Sequence, residues 1–112
     1  LGIERCRDLA VALEILTDRP CTRTDRGEPV VQAAHWAAHR VTGREPAYGG
    51  VPGATDGTFL WAWRNIPIVT TGAGDRQVPH QKDEWVDLDQ LVTTVKIYAL
   101  TALHYLGGSA EK

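Results

Sequence analysis

The residues best suited to chemistry lie in one polar stretch, GDRQVPHQKDEWVDLDQ at 74–90, where His80 is followed closely by Asp83 and Glu84. An imidazole on such a loop can serve as a metal ligand or stand as a plain solvated side chain. Zinc takes about four ligands, and a catalytic site draws three of them from protein. The stretch holds one histidine and no cysteine, so by itself it is an incomplete metal site. A second pair, His35 and His39, would share one helix face at a spacing that can hold a metal. No third ligand follows that pair, and the Glu of an H-E-x-x-H pattern is missing.

Glycine marks the other place where a ligand would fit. The loop GGVPGATDG offers Gly49, Gly50 and Gly53, where a ligand can approach the backbone closely, and leads into a short helix capped by Thr55 or Asp56. Free N–H groups at a helix start attract an anion, although such loops are more often simple turns.

Several elements must position these loops. DLAVALEIL at 8–16 alternates Leu9, Val11, Leu13 and Ile15, a period of two that predicts a strand. Residues 17–27 have no periodicity and read as a connector, the one plausible domain boundary. The next segment sets Val30, Ala34, Ala37 or Ala38, and Val41 at helical spacing, with Pro29 suited to the start and Gly43 to the stop. A short strand is expected around Ala47 and Tyr48, then a short helix with Phe59, Leu60 and Trp63 inward, then a strand at Ile66–Val69. Strand, helix and strand in that order predict a parallel pair with a right-handed crossover, whose carboxyl edge carries both polar loops. Asp87 and Gln90 form a capping box, and behind them Leu88, Leu91, Val92, Val95, Ala99, Ala102 and Leu106 make a helical apolar stripe that Gly107 and Gly108 end.

The bulk numbers set bounds. At 112 residues the chain is one domain at most, and a net charge of -2 gives no electrostatic footprint for nucleic acid or an anionic membrane. No apolar run approaches the ~18 residues of a membrane span, and no signal-peptide pattern opens the chain. Cys6 and Cys21 lack zinc-type spacing and are too few for a disulfide scaffold, so reduced thiols and a cytoplasmic location are expected. The opening at Leu1 rather than Met reads as a cut from something longer.

Taken together, DRPCTRTDRGEPVVQA, TGREPAYGGVPGATDGTFL, IPIVTTGAG and PHQKDEWVDLDQL, in this order, resemble the C-terminal part of the dinuclear zinc amidohydrolases and peptidases of clan MH. That family includes acetylornithine deacetylase, succinyl-diaminopimelate desuccinylase, aminoacylase and the glutamate-releasing carboxypeptidase. The likeness runs over roughly residues 8–107. It implies an α/β fold: a fragment of a zinc-exopeptidase-like catalytic domain, with a parallel or mixed sheet flanked by helices. On that template residues 1–16 end the lid (dimerisation) domain, 17–27 are the crossover connector, and 28–112 close the catalytic domain.

The resemblance also implies roles. HQKDE matches the family's last histidine motif, which makes His80 a metal ligand, with Asp83 or Glu84 orienting its ring. GATDG resembles the segment lining the substrate pocket through Gly53, Thr55 and Asp56, while Ala54 departs from its commonest form. The start of the short helix, with Arg76 across the gap, would receive a substrate carboxylate. Two divalent metal ions are implied, zinc first, with cobalt or manganese compatible, and only one of their ligands is here. The remaining ligands and the general-base Glu are expected upstream, so no catalytic residue is expected in this chain. The expected activity is amide cleavage of N-acyl amino acids or peptides by a metal-activated water, with the fragment inactive alone. The expected partners are the remainder of the same enzyme or another copy of the chain, as a homo-oligomer, with no nucleic acid and no membrane. The alternative is a non-catalytic α/β binding or assembly module that kept the fold.

Overall fold

Pro29 fixes the backbone angle that a first helical turn requires and lacks the N–H that such a turn would leave unpaired. A helix accordingly begins there. In the computed structural model, which describes residue 10 and residues 12–107, it is α1 (Pro29–Thr42), followed by α2 (Gly57–Arg64) and α3 (Leu88–Gly107). Gly43 ends α1 in the left-handed region at φ 68°, its N–H donating to His39 O. Asn65 ends α2 in the same way at φ 51°. At α3 the Asp87 carboxylate accepts the N–H of Gln90 at 2.9 Å, so the helix begins where the sequence places it.

No strand forms among the described residues. This overturns the expected α/β architecture: there is neither a parallel or mixed sheet nor a crossover joining two parallel strands. The segments around Ala47 and Tyr48 and at Ile66–Val69 carry no regular structure. Nor do residues 12–16 of the proposed lid strand, while Asp8, Leu9 and Val11 of that strand lie outside the described residues. Cys6 and the tail from Gly108 lie outside them as well. A period-two pattern reports a face for burial, but a strand exists only when a second backbone about 4.8 Å away completes its ladder. The N–H of Ile68 instead donates to Thr24 Oγ1 at 3.2 Å, a side chain of the connector.

Burial departs from the sequence reading as well. On α1 the buried residues are Val31, Ala33 and Ala37, with Val30, Ala34, Ala38 and Val41 half-buried. On α2 the buried residue is Thr58; Leu60 and Trp63 point outward, Trp63 at 75% exposure. Phe59 is half-buried, stacked on Trp63 with ring centres 4.8 Å apart and covered by the Arg19 guanidinium at 5.3 Å.

Helix α3 packs on α1. Its half-buried residues are Thr93, Thr94, Ile97, Leu100 and Thr101, and His104 stacks on Trp36 of α1 at 4.2 Å. The stripe Leu88, Leu91, Val92, Val95, Ala99, Ala102 and Leu106 lies exposed on the other side. A helix apolar on more than one face belongs in the interior of something larger. At ~1.5–3 kcal/mol per large aliphatic side chain, covering this stripe is worth on the order of 5–10 kcal/mol, as much as a small domain's whole stability.

Two expectations follow. With this stripe uncovered the chain is expected to associate through it, so sedimentation should show concentration-dependent association; a monomer at micromolar concentration with two-state urea unfolding would contradict this. Ala37 is wholly buried, so Ala37→Leu should overfill the ground between α1 and its surroundings and cost about 1–3 kcal/mol in a urea melt.

Candidate functional site

A cavity of about 550 Å³ opens between the connector, α1, the 46–55 loop and residues 68–71. Gly53 and Thr55 of the expected substrate segment line it, as do Gly49 and Gly50. Opposite them stand Ala34, His35 and Ala38 of α1. Gly57 lets the start of α2 sit close to Ile68: a Cβ at Gly57 would meet Ile68 Cδ1 at 3.0 Å and Thr55 Oγ1 at 3.2 Å. Asp56 occupies the position before α2, but its carboxylate caps no N–H. The start of α2 is held by backbone instead, with Thr58 N–H donating to Thr55 O and Phe59 N–H to Asp56 O.

His35 stacks on Tyr48 with centroids 4.9 Å apart, and the Arg26 guanidinium covers the same tyrosine at 4.7 Å. No periodic pattern announces this sandwich, which joins the connector, α1 and the loop around aromatic rings. His35 Nε2 and His39 Nδ1 lie 3.3 and 3.4 Å from the two oxygens of Glu45. The same two nitrogens face the carbonyls of Pro46 and Arg44, at 3.2 and 3.1 Å. A ring nitrogen facing only acceptors is satisfied in the tautomer that places the proton on it, and in that tautomer it is not offered to a metal. The histidine pair fastens the 44–48 loop to the end of α1. Among the described residues no group of three or more His, Cys, Asp or Glu side chains is disposed to hold a metal ion. A complete metal centre therefore does not fit these residues alone.

His80 lies elsewhere, outside the lining of the cavity, on an exposed loop that leads toward α3. Its backbone is in the left-handed region at φ 65°, and Asp83 adopts φ 60°. Residues with side chains rarely take this conformation, and each instance costs ~1–2 kcal/mol unless local contacts hold it. One such contact is present: the N–H of His80 donates to Glu84 Oε2 at 3.0 Å. Glu84 thus acts on the backbone of His80, and among the described residues no hydrogen bond reaches its ring. Asp83 is exposed beside it.

The two loops meet at Arg76. Its Nη2 donates to Gly50 O, and a Cβ at Gly49 would lie 3.4 Å from both terminal nitrogens. Two bonds from α3 fix the start of the same loop: Tyr98 Oη donates to Thr71 O, and Gly74 N–H donates to Gln90 Oε1 at 3.0 Å. The sequence reads Gln90 as half of a capping box closing back on Asp87. One half of that box forms, while the Gln90 side chain reaches across to Gly74.

A family model described as Peptidase family M20/M25/M40 matches residues 10–104 of the chain. No curated protein and no solved structure matches it. No helix of the described residues is long and apolar enough to cross a membrane.

The hold of Glu84 on His80 is testable. Glu84→Ala removes one hydrogen bond of about 1 kcal/mol net, which should speed exchange of the His80 amide roughly fivefold. Unchanged exchange would mean that the left-handed turn is held by something else.

Proposed function

Because the chain belongs to peptidase family M20/M25/M40, a family of metal-dependent hydrolases, we propose that it is the C-terminal part of an enzyme cleaving the amide bond of an N-acyl amino acid or peptide. Within that reading, residues 1–16 end a lid domain, 17–27 connect, and 28–112 close the catalytic domain. His80 is the one metal ligand this chain contributes, and the other ligands and the general base come from outside it. The centre holds two divalent ions, zinc in the first instance, which supply a water of lowered pKa and polarise the scissile carbonyl.

The family match is the observation that carries this reading, because it spans the GATDG and HQKDE loops together. The state of His80 supports it: an exposed imidazole without a competing hydrogen bond among the described residues, on a loop whose turn Glu84 holds. Asp83, one residue before Glu84, is the candidate to orient the ring once a metal binds. Gly53 and Thr55 bound the substrate's approach, where a small residue and a hydroxyl at a helix start suit an acyl or carboxylate group. Arg76 binds the same loop at Gly50.

The test is His80→Ala in the protein that carries this chain. One metal should leave its site and turnover should fall by orders of magnitude, while the melting temperature stays nearly unchanged because an exposed imidazole buries little apolar surface. Full metal content with near-normal turnover would remove His80 from the centre and return it to a plain solvated side chain, whereas no metal-dependent turnover in the unsubstituted protein would favour the non-catalytic module.

A further inference from the structure

We infer that Arg76 is a positioning residue: it ties the loop bearing Gly53 and Thr55 to the loop bearing His80 and so sets the distance between substrate and metal ligand. The inference rests on the functional reading above and gives Arg76 a task separate from the carboxylate contact that the family resemblance implies.

Four observations converge on it. The guanidinium donates to Gly50 O, across 26 positions of sequence, three residues before Gly53. Gly49 presents no side chain where the two terminal nitrogens lie, so the fork rests directly on the loop backbone. Upstream of Arg76 its loop is fixed to α3 at Thr71 and Gly74, through Tyr98 and Gln90. Downstream, consecutive short turns lead to His80: Gln77 N–H donates to Asp75 Oδ1 at 2.9 Å, Val78 N–H to Asp75 O at 3.2 Å, and Gln81 N–H to Val78 O at 3.3 Å.

A segment fixed at one end by a helix and folded into successive turns at the other has little slack. A shift of Arg76 relative to Gly50 is therefore passed on to His80. No carboxylate lies within ion-pair distance of Arg76 among the described residues, so what the guanidinium supplies here is reach and a directed N–H rather than charge neutralisation. Arginine suits that task because its fork is rigid and planar, whereas a lysine would offer one flexible point.

The experiment compares Arg76→Gln and Arg76→Lys with the unsubstituted protein that carries this chain. It uses two substrates, an N-acyl amino acid and the same compound with its carboxylate converted to a carboxamide. A positioning role predicts that Arg76→Gln lowers kcat by the same factor on both, about tenfold or more, with metal content unchanged and partial recovery in Arg76→Lys. A penalty confined to the carboxylate substrate would overturn it, because that is the signature of direct contact. The second arm reads hydrogen exchange. Arg76→Gln should speed exchange in residues 50–53 and 77–84 together, whereas Glu84→Gln should act on the His80 turn alone. Unchanged exchange at 50–53 in Arg76→Gln would also overturn the inference. If the unsubstituted protein shows no metal-dependent turnover, the functional reading fails by itself, since the exchange arm reads the coupling without turnover.

Discussion

Helix α3 lies with Thr93, Ile97 and Leu100 toward α1 and its long Leu/Val stripe uncovered on the other side. Most other placements in the chain follow from this contact. Small residues at Ala33 and Ala37 leave α1 without bulk where the chain buries it most deeply, and the Trp36–His104 stack fixes where the two helices meet. From α3, Tyr98 and Gln90 reach out to hold the loop at Thr71 and Gly74, and from there the backbone turns through Arg76 to His80. The position of the candidate ligand is thus set by a helix pair as well as by the local turn that Glu84 holds. The uncovered stripe shows how little of the cost of ordering this pair is repaid within the chain itself: among the described residues the buried apolar side chains are Val31, Ala33 and Ala37.

The candidate chemistry is divided between two places. The cavity gathers Gly53, Thr55, His35 and Tyr48, while His80 stands outside it on the exposed loop. In the proposed enzyme, one place receives substrate and the other faces the metal, and Arg76 spans them. The His35–Glu45–His39 clamp has a different task. His35 Nε2 and His39 Nδ1 both face carbonyl and carboxylate oxygens, which fastens the cavity's Tyr48 loop and engages those two nitrogens there.

What was legible in the sequence follows a physical line. Helix ends were legible because they are local: Pro29, Gly43 and Asp87 act within a few residues of themselves. Strands were not, because Ile66–Val69 has strand composition yet needs a partner backbone that composition cannot supply. The buried side of α3 is hidden from the sequence for a related reason. The stripe from Leu88 to Leu106 is the more apolar face, but the side that meets α1 is set by which surface α1 offers. In the candidate site, Gly53 and Thr55 line one cavity together. The bonds from Arg76 to Gly50 and from Gln90 to Gly74 were hidden, since long polar side chains leave no periodic trace.

The central claim is that His80, and no other histidine of this chain, meets a metal. Side-chain nitrogen NMR of the four histidines His35, His39, His80 and His104, recorded on the protein that carries this chain with and without zinc, tests it most directly. The account predicts that the His80 ring alone shifts to a metal-bound signature, while His35 and His39 keep protonated nitrogens toward Glu45 and His104 stays stacked on Trp36. A zinc-dependent shift at His35 and His39, or a His80 ring indifferent to zinc, would contradict it.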